Sequence, residues 1–155
     1  MSINLYLVRH AESDYSNNSA EKSLTEYGIQ SLKKNISVWQ TYNPKVDIII
    51  TSPLQRAVET GEIIREIITP TQNILIDETL NTGAKTESVV ELLRTFTVKN
   101  VLVVGHMPDL SMIARDLLKF TNREYSFSPA TISSIMFENG VGKRMGKSEY
   151  HLLAE

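Results

Sequence analysis

The chain alternates short, almost uniformly apolar runs with longer stretches in which apolar residues recur every three or four positions. Residues 3–8 read as a strand, and Val46-Asp47-Ile48-Ile49-Ile50-Thr51 as a second, β-branched one. Asn73-Ile74-Leu75-Ile76 is a short third candidate. Val101-Leu102-Val103-Val104 is continuously apolar, as expected of a strand covered on both faces. Helical spacing fills the intervals. Ser23-Leu24-Thr25-Glu26 has the form of a capping box, after which Ile29, Leu32, Ile36 and Trp39 form a stripe. Ala57, Gly61, Ile64 and Ile68 form a second stripe, ended before Pro70. Val89, Leu92, Leu93 and Phe96 form a third, and Leu110, Ile113, Ala114, Leu117 and Leu118 a fourth. Beyond residue 125 the pattern turns to strands: Thr131 to Phe137, an Asn139-Gly140 turn, and Tyr150 to Leu153 returning as the hairpin partner. The expected fold is therefore α/β, a three-layer α/β/α sandwich with a mainly parallel sheet and an antiparallel edge.

Composition narrows this picture. At 155 residues, 41% hydrophobic and 22% charged, the chain suits a single domain spanning 1–155 with a substantial core. A formal net charge of -2 argues against a nucleic-acid partner, because there is no excess of Lys and Arg to displace counterions. Any anion site must be a local concentration of positive charge. With no cysteine there is neither a disulfide framework nor thiolate chemistry. No run reaches membrane-spanning length, and the N-terminus lacks the features of a signal peptide, so the expectation is a cytoplasmic protein without a membrane partner.

Two of the three histidines stand in matching contexts: Leu5-Tyr6-Leu7-Val8-Arg9-His10 and Val101-Leu102-Val103-Val104-Gly105-His106. Each follows an apolar strand after one spacer. In a parallel sheet the strand ends that lead into helices share one edge, where ligands bind. Neighbouring strands would bring His10 and His106 to one crevice, and Arg56, in the first turn after the second strand, would join them with Arg9. Arginine forks match phosphate oxygens, and a helix N-terminus adds N–H donors. A neutral imidazole is a good nucleophile near pH 7, and cationic neighbours favour its neutral form. His10 could attack phosphorus while Arg9, Arg56 and a protonated His106 stabilise the equatorial oxygens.

Singly, each of the four residues has an ordinary explanation, a satisfied strand-end histidine or a surface arginine; four of them at three strand ends do not. Zinc fits poorly, since a stable site wants three or four ligands and neither cysteine nor an HExxH spacing is present. No metal or other cofactor is expected. His151, in Tyr-His-Leu, reads as structural or exposed.

Four stretches carry a resemblance: Leu-Val-Arg-His-Ala-Glu-Ser (7–13), Ser-Leu-Thr-Glu-Tyr-Gly (23–28), Ser-Pro-Leu-Gln-Arg-Ala-Val-Glu-Thr (52–60) and Val-Val-Gly-His-Met-Pro (103–108). In order and spacing they resemble the histidine phosphatase, or phosphoglycerate-mutase-like, superfamily. The resemblance implies a phosphoglycerate-mutase-like fold, no metal, and catalysis through a phosphohistidine. It implies His10 as nucleophile and Arg9, Arg56 and His106 as the phosphate pocket, with Ser16, Asn17 and Met107 contacting substrate.

Two departures stand out. Ala11 replaces the usual glycine after the nucleophile. Where many members place a catalytic glutamate in a Leu-x-Glu stretch, this chain has Leu80-Asn81-Thr82, with Glu78 and Glu87 nearby as substitutes or, more simply, solvated charges. An alkoxide leaving group wants an acid, whereas an imidazole departs readily once its ring nitrogen is protonated. The missing acid and the short chain point to the compact SixA-type phosphohistidine phosphatases, which the 80–93 and 126–136 segments also resemble. The expected partner is then a phosphorylated protein carrying phosphohistidine. A phosphatase or mutase for a small phosphorylated metabolite is the alternative, and a non-catalytic phospho-ligand module a more distant one.

Overall fold

The computed structural model describes residues 1–14, 23–68, 73–120 and 125–154. Its strands are β1 (Ile3–Arg9), β2 (Ile48–Thr51), β3 (Leu75–Ile76), β4 (Asn100–Gly105), β5 (Ile132–Phe137) and β6 (Gly146–Leu152); its helices are α1 (Glu26–Gln40), α2 (Gln55–Ile68), α3 (Thr86–Leu93) and α4 (Asp109–Leu117). They form one six-stranded sheet in the order β3-β2-β4-β1-β5-β6. The first four strands in that order are mutually parallel, β5 pairs antiparallel with β1 and β6 antiparallel with β5, giving the mainly parallel sheet with an antiparallel edge that was expected.

Alternation along the strands sorts the core into two layers. Leu5, Leu7, Val101, Val103, Ile135 and Phe137 face α3 and α4. Tyr6, Val8, Leu102, Val104 and Ile132 face α1 and α2, which bury Leu32, Ile36, Trp39, Ala57 and Ile64 against them. Both faces being covered is why β1 and β4 read as continuous apolar runs rather than alternating ones. Among the described residues, no helix is long and apolar enough to cross a membrane.

Some boundaries differ from the sequence reading. α1 is capped by Thr25, not Ser23: the Thr25 hydroxyl accepts the Gly28 N–H at 2.9 Å, while Ser23 still belongs to an extended segment whose neighbour Leu24 bridges Ser13. The third helix stops at Leu93, leaving Phe96 in the following turn, packed on the core. The fourth stops at Leu117, one residue short of Leu118. β6 begins at Gly146 rather than Tyr150, after a longer loop in which Gly140 has φ +90°.

Register is what positions the site. Arg9 pairs with Gly105 across β1 and β4, and Thr51 with Val104 across β2 and β4. The residues that follow stay tied to the sheet, His10 N–H donating to the Gly105 carbonyl and Ser52 N–H to the Val104 carbonyl, both at 3.1 Å. Three chain segments therefore leave the sheet at one level of one edge.

Candidate active site

His10 and His106 emerge side by side from the adjacent ends of β1 and β4. Their ring centroids lie 5.2 Å apart at an interplanar angle of 55°, and both are almost wholly buried. His10 Nδ1 sits 2.8 Å from the Ala11 carbonyl oxygen. A carbonyl can only accept, so Nδ1 carries the proton, and a neutral His10 has its lone pair on Nε2. The backbone thus selects the nitrogen that could act as nucleophile.

Arg9, the last residue of β1, donates from Nη1 to the Phe127 carbonyl at 2.8 Å, which fixes the guanidinium on the strap leading into β5. Arg56 lies in the first turn of α2. The charges of His10, Arg56 and Arg9 all act on His106, so the structure gathers the four residues that the sequence singled out.

The expectation of a protonated His106 is corrected. Burial first, and then His10, Arg56 and Arg9, push its pKa down to about 3. At neutral pH the ring is therefore uncharged. Since an unfolded histidine titrates near 6.5, the folded chain binds fewer protons between about pH 6.5 and 3, so stability falls as pH drops through that window. Urea midpoints measured across it should decline with acidification, and less steeply in His106→Gln. Equal slopes would contradict the assignment.

Several residues unassigned by the sequence reading hold this cluster. Thr60, fully buried on α2, donates its hydroxyl to the Arg56 carbonyl at 2.8 Å and accepts the Ala11 N–H at 3.0 Å. The residue after His10 is thereby tied to the helix that carries Arg56. Ala130, at φ +67°, gives its N–H to the carbonyls of Arg9 (3.1 Å) and His10 (3.3 Å). Buried Asn35 on α1 donates to the Ala130 and Leu152 carbonyls at 2.8 and 3.0 Å, locking that strap. Ser52 lies 2.7 Å from His106 Nε2. Thr60 and Ser52 both fall inside the 52–60 motif, so position within it was the available signal; Asn35 and Ala130 had none.

Met107 follows His106 directly but packs against the α3–α4 core layer, its sulfur accepting the Ser111 hydroxyl at 3.2 Å. Ser16 and Asn17 lie outside the described residues. His151 is structural: its Nε2 donates to the Ser126 carbonyl at 2.7 Å and its ring packs on Tyr125 and Phe127. Glu87 is exposed and paired with Lys143, and Glu78 is exposed beside Asn81. The 80–84 stretch is instead anchored by Asp109, whose Oδ2 accepts the N–H groups of Gly83 (2.9 Å) and Ala84 (3.4 Å).

Comparison with known proteins agrees with this geometry. A family model described as histidine phosphatase superfamily (branch 1) matches residues 5–82. The chain is 30% identical over 149 residues to a phosphohistidine phosphatase SixA homolog of Haemophilus influenzae, covering 88% of this chain and 89% of that one. In fold it is similar to the protein histidine phosphatase SixA complexed with tungstate, with a TM-score of 0.85, 17% identity and 97% of both chains covered. A putative SixA from Nakamurella multipartitia gives the same TM-score at 16% identity, covering 99% of this chain and 97% of that one. With the family model matching half of the chain and a relative 30% identical over most of both chains, the chain belongs to the histidine phosphatase superfamily, branch 1.

Proposed function

We propose that this protein hydrolyses phosphohistidine on a protein substrate, with His10 as nucleophile and Arg9, Arg56 and His106 as the phosphate pocket. The observation that carries the reading is the pairing of His10 and His106, rings 5.2 Å apart, with the first ring committed through Nδ1 to the Ala11 carbonyl. Nε2 of His10 attacks phosphorus and forms a new P–N bond as the P–N bond to the substrate imidazole breaks. The leaving ring nitrogen takes a proton from water. A second water then attacks phosphorus, breaks the bond to His10 and releases inorganic phosphate. Arg9 and Arg56 hold the equatorial oxygens, and His106 adds an N–H donor.

The choice of phosphohistidine over a phosphate ester rests on proton supply. Thr82 stands where many members of the superfamily place the acid, Glu78 and Glu87 are exposed and otherwise engaged, and the Asp109 oxygen is occupied by two backbone N–H groups. An imidazole leaves without a dedicated acid; an alkoxide does not. The lack of cysteine suits the cytoplasmic setting such a substrate would share.

A release assay with three substrates tests the proposal: a phosphohistidine-bearing protein, 3-phosphoglycerate and an aryl phosphate. The phosphoprotein should give the highest kcat/KM, by about tenfold or more, because the ester must leave without an acid. Preference for phosphoglycerate would move the assignment to the small-metabolite class, and binding without release to a phospho-ligand module.

A further inference from the structure

We infer that Ser52 is a positioning residue that holds His106 as its Nδ1–H tautomer, so that the ring offers a donor, rather than a lone pair, to a phosphoryl oxygen. The inference deepens the function proposed above and rests on it for the identity of the acceptor.

Ser52 is fully buried directly after β2, and its N–H is tied to the Val104 carbonyl. Its Oγ accepts the Leu54 N–H at 3.2 Å and lies 2.7 Å from His106 Nε2. A hydroxyl has one proton and two lone pairs. The Leu54 N–H takes one lone pair, and the proton must find an acceptor because a buried O–H without one is costly. Among the described residues, the acceptor within reach is His106 Nε2. The bond therefore runs from Ser52 Oγ–H to Nε2, which requires that nitrogen to be unprotonated. A neutral ring then carries its proton on Nδ1.

Nδ1 is itself buried, and has no hydrogen-bond partner among the described residues. A buried N–H beside His10, in the field of Arg9 and Arg56, suits an acceptor that brings its own negative charge. With the opposite tautomer, Nδ1 would present a lone pair to phosphate oxygens and repel them. Ser52 thus acts on phosphate through His106 and does not touch it. The Ser-Pro-Leu turn has two outputs: it starts the helix that carries Arg56 and it sets the proton on His106.

Long-range ¹H–¹⁵N spectra of the full chain with ¹⁵N-labelled histidine read this tautomer directly, over about pH 5 to 8. In the wild type, His106 should show a protonated Nδ1 and a bare Nε2, and inorganic phosphate should shift the Nδ1 signal. Ser52→Ala should mix the tautomers and lower kcat/KM by about 10- to 100-fold. Ser52→Thr, which keeps the hydroxyl, should restore the single tautomer and most of the activity. A wild-type ring protonated on Nε2, or a tautomer unchanged in Ser52→Ala, overturns the role given to Ser52, whatever the turnover. A wild type that shows the expected tautomer but releases phosphate from no substrate supports the positioning role and sinks the phosphatase reading instead.

Discussion

His10→Ala is expected to lower turnover of the phosphorylated substrate by about 10⁴-fold or more, because removing a nucleophile costs far more than removing one member of its supporting pocket. The remaining Arg9, Arg56 and His106 would still bind phosphate, so substrate affinity should fall much less than kcat. The variant should fold. The side chain lost bonds to its own neighbour's carbonyl rather than to the sheet, and β1 is held by ladders on both sides. In the wild type, rapid quenching into alkali should trap one phosphoryl group per chain on His10, because a phosphoramidate survives base and not acid. Near-normal turnover in His10→Ala would rule out the mechanism, and so would a label found on another residue.

Gly28→Ala should cost both stability and activity, although on intrinsic propensity alone alanine improves a helix by about 1 kcal/mol. Gly28 lies in the first turn of α1, where a Cβ would sit 2.3 Å from the Glu12 carbonyl oxygen and 2.9 Å from its nitrogen. Both obstacles are backbone, so no rotamer change relieves them. Overpacking of this kind costs typically about 1–3 kcal/mol, and the upper part of that range applies where backbone must move. The clash therefore outweighs the propensity gain. Its direction matters as much as its size. Glu12 is two residues beyond His10, and its carbonyl accepts the Thr25 N–H at 2.9 Å while its carboxylate accepts the Thr25 hydroxyl at 2.8 Å. Pushing Glu12 away loosens the helix cap and the turn that aims His10 together. We expect a lower urea midpoint and a kcat reduced by about tenfold, which is what ~1.4 kcal/mol of misplacement represents. A variant as stable and as active as the wild type would show that this contact is not what orients the loop.

Sequence and structure contribute differently to these two residues. His10 was legible as a candidate because its chemistry is intrinsic: an imidazole one residue beyond an apolar strand, repeated at His106, announces itself by type and spacing. Gly28 was legible only as a motif letter. Its reason is a close approach between α1 and the loop after β1, and no local pattern encodes a distance between segments. The same holds for Thr60 and Asn35. Each looks like an ordinary polar helix residue until the fold places Ala11 against one and the Ala130 carbonyl against the other.

The misplaced boundaries have a similar cause. Ser23 and Thr25 are both able caps, and the choice between them falls to Thr25 because pairing with residues 12–14 keeps Ser23 and Leu24 extended. The charge on His106 was misjudged because sequence reveals a cation's neighbours but not its burial. Desolvation, the largest cause of the shift, exists only once both faces of the sheet are covered.

By itself, then, the sequence determined the layer architecture and singled out the four residues proposed to form the phosphate pocket. Period-2 and period-3.6 patterning specify element type, and the rule that parallel strands share a ligand-binding edge specifies where their ends lie. Only the tertiary structure decided how those groups are held: which nitrogen of His10 faces a carbonyl, that His106 is buried and neutral, and which hydroxyl lies against it. Those are properties of hydrogen-bond direction and local dielectric, set by atoms far apart in the chain, 54 positions in the case of Ser52 and His106. A linear pattern carries the inventory of groups, and packing alone sets their protons.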